Sequence, residues 1–254
     1  MTKNPSVGKQ AVPRPSGGVA QIGTLDLVSA TLERLDNRRT GLPGMAVLYG
    51  PAGWGKTFAT NVLANENRAY YLQLRSLWSR KTILEKILFE MGVTHGKATA
   101  PVLLDMVCEQ LNASRRTLIL DEFDYATDSN SLVELTRDIY EGSQGSLLLV
   151  GEELLPKKLE KWQRFHSRVL TWVPAQRVTA EDCGKLATIY ADGIRFEPEV
   201  FAILAAETKG SVRLATVNLS NIHEYCLTFG KDVFTAADLG DFPLHTGRSP
   251  ERRL

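Results

Sequence analysis

Eight consecutive residues, Gly50-Pro51-Ala52-Gly53-Trp54-Gly55-Lys56-Thr57, match the spacing G-x-x-x-x-G-K-[ST] in full. Each type answers a chemical demand. Glycines let the backbone curl so that its N–H groups turn inward and cradle phosphate oxygens. Lys56 brings a point charge to β- and γ-phosphates, and the Thr57 hydroxyl suits a magnesium ion. Phe58, the next residue, joins this loop as a nucleotide contact. The context agrees: a compact apolar run, Met45 to Tyr49, ends at Gly50, and helical periodicity begins at Thr57. The positive end of that helix points at the phosphates. A nucleoside triphosphate, ATP, with magnesium is the expected ligand.

An acidic pair lies one strand and one helical region further on. Leu118-Ile119-Leu120-Asp121-Glu122 reads as a buried strand ending in two carboxylates. In an open α/β sheet that end is where ligands bind. Asp121 is expected to hold the magnesium through water, and Glu122 to orient and deprotonate the water that attacks the γ-phosphorus. Asp124 reads as a solvated carboxylate. Glu152, after the next apolar run, stands where a polar group would touch the γ-phosphate, although a further anion there is repulsive.

Arginine supplies a planar fork of donors for phosphate. Arg164 and Arg168 flank Phe165-His166-Ser167 just before another apolar run, and Arg213 opens a helix in Gly210-Ser211-Val212-Arg213. A solvated basic surface is the competing reading for each. Cations suited to a nucleic-acid backbone are Arg75, Arg80 and Lys81, close to Trp78, with Lys97 in a separate loop. Arg115 and Arg116 read as solvated charges. Lys157, Lys158 and Lys161 read as part of a mixed polar helix with nearby glutamates.

The elements that must carry these groups alternate. Strands are expected at 45–49, 69–74, 117–120, 146–150 and 169–173. Helices are expected from Thr24, from Thr57, at 81–91 and at 100–111, which argues for a parallel sheet covered on both faces. Past Pro174 only helical periodicity remains, at 180–191, 198–207 and 211–227. The expected organisation is a flexible arm at 1–21, an α/β nucleotide-binding domain at 22–175, a small all-helical lid at 176–241 and a tail at 242–254. The three cysteines form no paired motif, no apolar run approaches a membrane-spanning length, and the start of the chain lacks a signal-peptide core. A cytoplasmic setting and no membrane partner are expected. The net charge of +1 confines any DNA surface to a local patch.

Taken together, the glycine loop, the Asp-Glu strand end, the arginines before the fifth strand and Gly-x-x-Arg in a helical lid resemble an AAA+ ATPase over roughly residues 22 to 240. The resemblance implies an α/β P-loop core with a five-stranded parallel sheet of order 5-1-4-3-2, and ATP held between core and lid. It implies homo-oligomers, rings or helical filaments, in which a neighbour's arginine completes each site. Arg168 matches that trans arginine by position, Arg164 comes second, and Arg213 matches the lid's sensor arginine. Glu152 departs from the Asn or Thr usual at the first sensor. Leu72-Gln-Leu-Arg-Ser76, Leu148-Leu-Val-Gly-Glu152 and Arg164-Phe-His-Ser-Arg-Val169 look similar to transposition ATPases of the phage Mu B type. That likeness implies double-stranded DNA and a transposase as partners, and a prokaryotic, phage or mobile-element source. A replication initiator or helicase loader shares these runs and is the alternative. A nucleotide-gated scaffold without DNA is the third.

Overall fold

The order of elements follows from where apolar runs give way to helical spacing. Helix α1 (Gly23–Asp36) precedes strand β1 (Met45–Tyr49), which runs through the glycine loop into α2 (Lys56–Glu66). Strand β2 (Tyr70–Gln73) leads to α3 (Arg80–Glu90) and α4 (Ala100–Ser114), and β3 (Leu118–Asp121) to α5 (Asp124–Thr127) and α6 (Asn130–Ser143). Then come β4 (Leu147–Gly151), α7 (Leu155–Leu159), α8 (Gln163–His166) and β5 (Val169–Pro174). The remainder is α9 (Ala180–Tyr190), β6 (Arg195–Phe196), α10 (Pro198–Glu207), α11 (Val212–Phe229), β7 (Val233–Phe234) and a 3₁₀ turn at Asp238–Gly240. This computed structural model describes residues 18–247, so most of the arm expected at 1–21 and the end of the tail lie outside the described residues.

Five strands form one parallel sheet of order β2-β3-β4-β1-β5, the expected order read from the other edge. Successive strand residues face opposite sides, so one apolar run feeds two cores. Ala46, Leu48, Ile119, Leu148 and Val150 pack toward α1, α2 and the helices after Pro174. Met45, Val47, Leu118, Leu120, Leu147 and Leu149 pack toward α3, α4 and α6. The register pairs Tyr49 with Gly151 and Pro174, and Gln73 with Asp121, so the loops after these strands leave from one edge.

Two differences from the sequence reading have local causes. No helix was expected between Asp121 and Ser146, yet α6 spans 14 residues there. Its buried Val133, Thr136, Ile139, Tyr140 and Ser143 carry helical spacing, and Thr136 and Ser143 satisfy their hydroxyls on carbonyls one turn back. Among the described residues past Pro174 the regular elements are helices except for β6 and β7, which pair in parallel through two residues each, too few to leave an alternation pattern.

The helices after Pro174 are tied to the start of α1 by a carboxylate. Asp182 closes a capping box with Thr179 at the start of α9, and its Oδ1 accepts from Gly23 N at 3.2 Å. Thr24 donates its hydroxyl to the Gln176 carbonyl at 3.1 Å. No described helix is long and apolar enough to cross a membrane.

Candidate nucleotide site

The glycine loop turns between β1 and α2 by using conformations that a side chain resists. Gly53 and Gly55 both sit at φ +82°, and Gly55 caps α2 in the left-handed region. A Cβ on Gly53 would lie 2.6 Å from Ser211 Oγ, so the loop and the start of α11 touch at a glycine. Arg213 N donates to the Gly53 carbonyl at 3.1 Å, which brings Arg213 over the loop. Lys56 Nζ donates to the carbonyls of Gly50 and Pro51 at 2.7 and 2.9 Å. Burial lowers the Lys56 pKa from its ordinary value, while the carboxylates of Asp121, Glu122, Glu152 and Asp124 oppose that shift. The expected Asp-Glu pair therefore faces the expected lysine.

Asp121, 2% exposed, ends β3 with both oxygens engaged. Tyr71 donates its hydroxyl to Oδ2 at 2.7 Å, and Glu122 N donates to Oδ1 at 2.8 Å. Burial and the Asp121 charge push the Tyr71 hydroxyl well above its ordinary pKa, so it remains a donor. Glu122 sits at φ +55°, a left-handed conformation that a glutamate adopts at a cost of about 1–3 kcal/mol. Burial, then Asp121, Asp124 and Glu152, raise its carboxyl pKa, with Lys56 opposing. A carboxylate whose proton affinity is lifted in this way is suited to accept a proton from water.

Asp124 corrects the expectation of a solvated carboxylate. Its Oδ2 accepts from Glu152 N and its Oδ1 from Lys158 Nζ, both at 2.6 Å, so it ties the ends of β3 and β4 together. Lys158 thus pairs with an aspartate rather than the nearby glutamates, and Lys161 lies over the Trp162 ring at 4.1 Å. Glu152 itself is exposed on the rim, with its backbone fixed by Asp124.

One depression of ≈ 250 Å³ gathers the loop residues Ala52, Gly53, Gly55, Lys56, Thr57 and Phe58. Asp121, Glu122, Glu152 and Arg213 line it too. Gly50, Pro51 and Trp54 shape the loop from behind: Trp54 packs on the core and lies 6.0 Å from the Arg177 guanidinium. The rest of the lining was missed in sequence. Ile22 and, on α9, Leu186, Ile189 and Tyr190 form an apolar wall suited to a flat ring, and Gly18 and Ala20, assigned to the arm, join them. In sequence such residues carry only a core signal. Tyr71 likewise gave none, since its role depends on a carboxylate fifty positions away.

Arg168 and Arg164 are not brought to this depression. Arg168 precedes β5 at the opposite edge of the sheet, where its carbonyl accepts from Met45 N at 3.2 Å. A five-residue strand of roughly 17 Å separates it from the loop. Arg164 is exposed on α8 and makes no ion pair among the described residues. Arg75 stacks near Trp78 at 5.7 Å, and Arg80 and Lys81 open α3 behind the Ser79 cap. Lys97 is exposed beyond the far end of α3, about 16 Å of helix away, so these four cations form no single cluster. Arg116 lies over the Tyr70 ring at 3.9 Å and donates to the Arg68 carbonyl, so it is not a free solvated charge.

Residues 38–159 match the family model of an AAA domain. Among solved structures, the Orc1 protein of Aeropyrum pernix in complex with DNA is similar at 18% identity and a TM-score of 0.60. That match covers 86% of this chain and 63% of that one. Cdc6p from Pyrobaculum aerophilum gives 16% and 0.61, covering 87% of this chain and 66% of its own. The RuvB Holliday junction branch migration motor of Thermotoga maritima gives 17% and 0.57, covering 89% and 67%. The chain therefore spans about two thirds of the length of these structures, and slightly less for the first. No curated protein sequence matches it. The α/β fold with five parallel strands is the one these solved structures share, and the AAA-domain match lies on its P-loop core.

Proposed function

We propose that this chain is an ATP-driven DNA-binding switch of the replication-initiator or helicase-loader type, with ATP held between the domain at 22–175 and the lid at 176–241. The observation that carries the reading is the convergence of Lys56, Asp121, Glu122 and Arg213 on one depression with an apolar wall. The N–H groups of Gly53 to Thr57 receive the phosphates, and Lys56 exchanges the loop carbonyls for β- and γ-oxygens. Glu122 takes the proton of the attacking water, and Arg213 carries the state of the phosphates to α11 through its contact with Gly53. A magnesium ion, for which the Thr57 hydroxyl and the Asp121 carboxylate are hard oxygen donors, would neutralise charge between the phosphates. Arg168, out of reach of its own loop, completes the site of an adjoining copy, with Arg164 as its alternate.

The likeness to the Orc1 and Cdc6p structures favours the initiator class over a regulator of transposition, and the Orc1 structure in complex with DNA supports duplex DNA as the partner. Arg75, Arg80 and Lys81, exposed after β2 beside Leu77, which is 95% exposed, are the proposed phosphate contacts. Lys97 stands apart from this group, because α3 intervenes. The transposition reading rests on the three short runs around Leu72, Leu148 and Arg164, and it predicts that a transposase raises turnover. The test is ATP turnover and co-sedimentation with duplex DNA, with and without nucleotide. ATP-dependent association with DNA supports the proposal; hydrolysis with no DNA association at low salt removes DNA from it and leaves a nucleotide-gated protein scaffold.

A further inference from the structure

A second depression, of ≈ 750 Å³, opens at the edge of the sheet where β1, β4 and β5 begin. Arg38, Arg39, Arg115 and Arg168 line it against only two carboxylates, Asp36 and Glu141. Their commitments differ. Arg38 is used up in structure, donating to the carbonyls of Leu35, Gln144 and Gly145 and to the Ser146 hydroxyl. Asp36 accepts from the Thr117 hydroxyl at 2.7 Å. Arg168 is held: its Nε and Nη2 both donate to Glu141 Oε1, at 3.2 and 3.0 Å.

The other oxygen of Glu141 has somewhere to go. Arg137 Nε lies 3.9 Å from Glu141 Oε2, buried and without a hydrogen-bond partner, while the rest of that guanidinium holds Glu134 and Asp138. A turn of the Glu141 side chain toward Arg137 would satisfy that orphaned donor and free Arg168 in one movement.

We propose that Glu141 gates Arg168. In the free subunit Glu141 occupies the guanidinium fork; on assembly the terminal phosphate of a nucleotide bound to an adjoining copy displaces it, and Glu141 moves to Arg137. The inference rests on the reading of Arg168 as the trans arginine. Carboxylate and phosphate compete for the same fork, and the phosphate carries more charge. Arg168 and Glu141 are 43% and 42% exposed, so the clamp is weak and acts on the assembly threshold rather than as an absolute block. Glu141 is a positioning residue in this scheme, since it touches Arg168 and no reacting atom.

The experiment is ATP turnover as a function of protein concentration for the full chain, for Glu141→Gln and for Glu141→Ala, and for each in an Arg168→Ala background, where light scattering with ATP reads the assembly threshold in place of turnover. With the clamp gone, the concentration at half-maximal turnover is expected to fall by about two- to fivefold, the scale of an exposed ion pair. The shift should vanish in the Arg168→Ala background, a pattern that a merely structural role for Glu141 would not produce. A threshold that stays or rises in both Glu141 variants, while Arg168→Ala alone is impaired, overturns the gate and leaves the trans arginine standing. Normal turnover in Arg168→Ala removes the trans arginine and the gate with it.

Discussion

At the scale of single residues, the site depends on two adjacent carboxylates put to different uses. Asp121 has both oxygens occupied by Tyr71 and the Glu122 amide, while Glu122 is left with a raised pKa beside three other acids. A base must be unprotonated to act. Turnover should therefore fall as pH drops through a value above the ordinary 4.5 of a glutamate, giving an acid limb in a rate profile with saturating nucleotide. Glu122→Gln should keep nucleotide binding and lower turnover by about 10²–10⁴-fold; unimpaired hydrolysis would reassign the base. Lys56→Ala should abolish binding measured by calorimetry. Gly50 to Thr57 and the Asp121-Glu122 pair could be read from sequence because phosphate chemistry fixes residue types at adjacent positions. Tyr71 and Asp124 could not, because each acts on a partner that only the sheet brings near.

At the scale of elements, the start of α11 meets the glycine loop through Gly53. The left-handed φ of +82° and the 2.6 Å approach to Ser211 Oγ make Gly53→Ala a test of that contact. Strain alone should cost about 1–2 kcal/mol in chemical denaturation. Displacement of α11, and of Arg213 with it, should weaken ATP binding beyond that of a control substitution on the exposed face of α2. A second joint is Asp182, which caps α9 and holds Gly23 N. Asp182→Ala should cost about 1–2 kcal/mol and loosen Ile22 in the apolar wall, read as weaker nucleotide affinity. The long apolar strands were legible because burial on both faces leaves unbroken runs. The buried residues of α6 carry helical spacing in sequence, whereas β6 and β7, two residues each, leave no period at all. The wall of Ile22, Leu186, Ile189 and Tyr190 looked like core, since a face that receives a ring and a face that receives a helix have the same composition.

At the scale of the whole molecule, the two edges of one sheet divide the labour. The edge after Tyr49, Asp121 and Gly151 carries the nucleotide depression, and the opposite edge presents Arg168 in a basin of guanidiniums. If Arg168 acts on a neighbour's nucleotide as proposed, each subunit holds one half of a site at each end, and assembly in a head-to-tail series follows. If the exposed turn after β2 contacts DNA, replacing Arg80 and Lys81 by Ala should weaken binding and flatten its salt dependence by up to about two charges in slope. An unchanged slope would remove that turn from the interface. Sequence order alone placed Arg168 before the fifth strand. The distance across the sheet is what separates it from its own loop.

The most direct test of a shared site is complementation between two defective subunits. Lys56→Ala lacks a working phosphate loop but presents Arg168, and Arg168→Ala has the reverse defect. Each alone should be inactive or nearly so, and an equal mixture should recover up to about a quarter of the wild-type rate, the share of interfaces that pair an intact loop with an intact arginine in a head-to-tail series. A mixture no more active than its components, under conditions where the subunits co-assemble, would contradict the account.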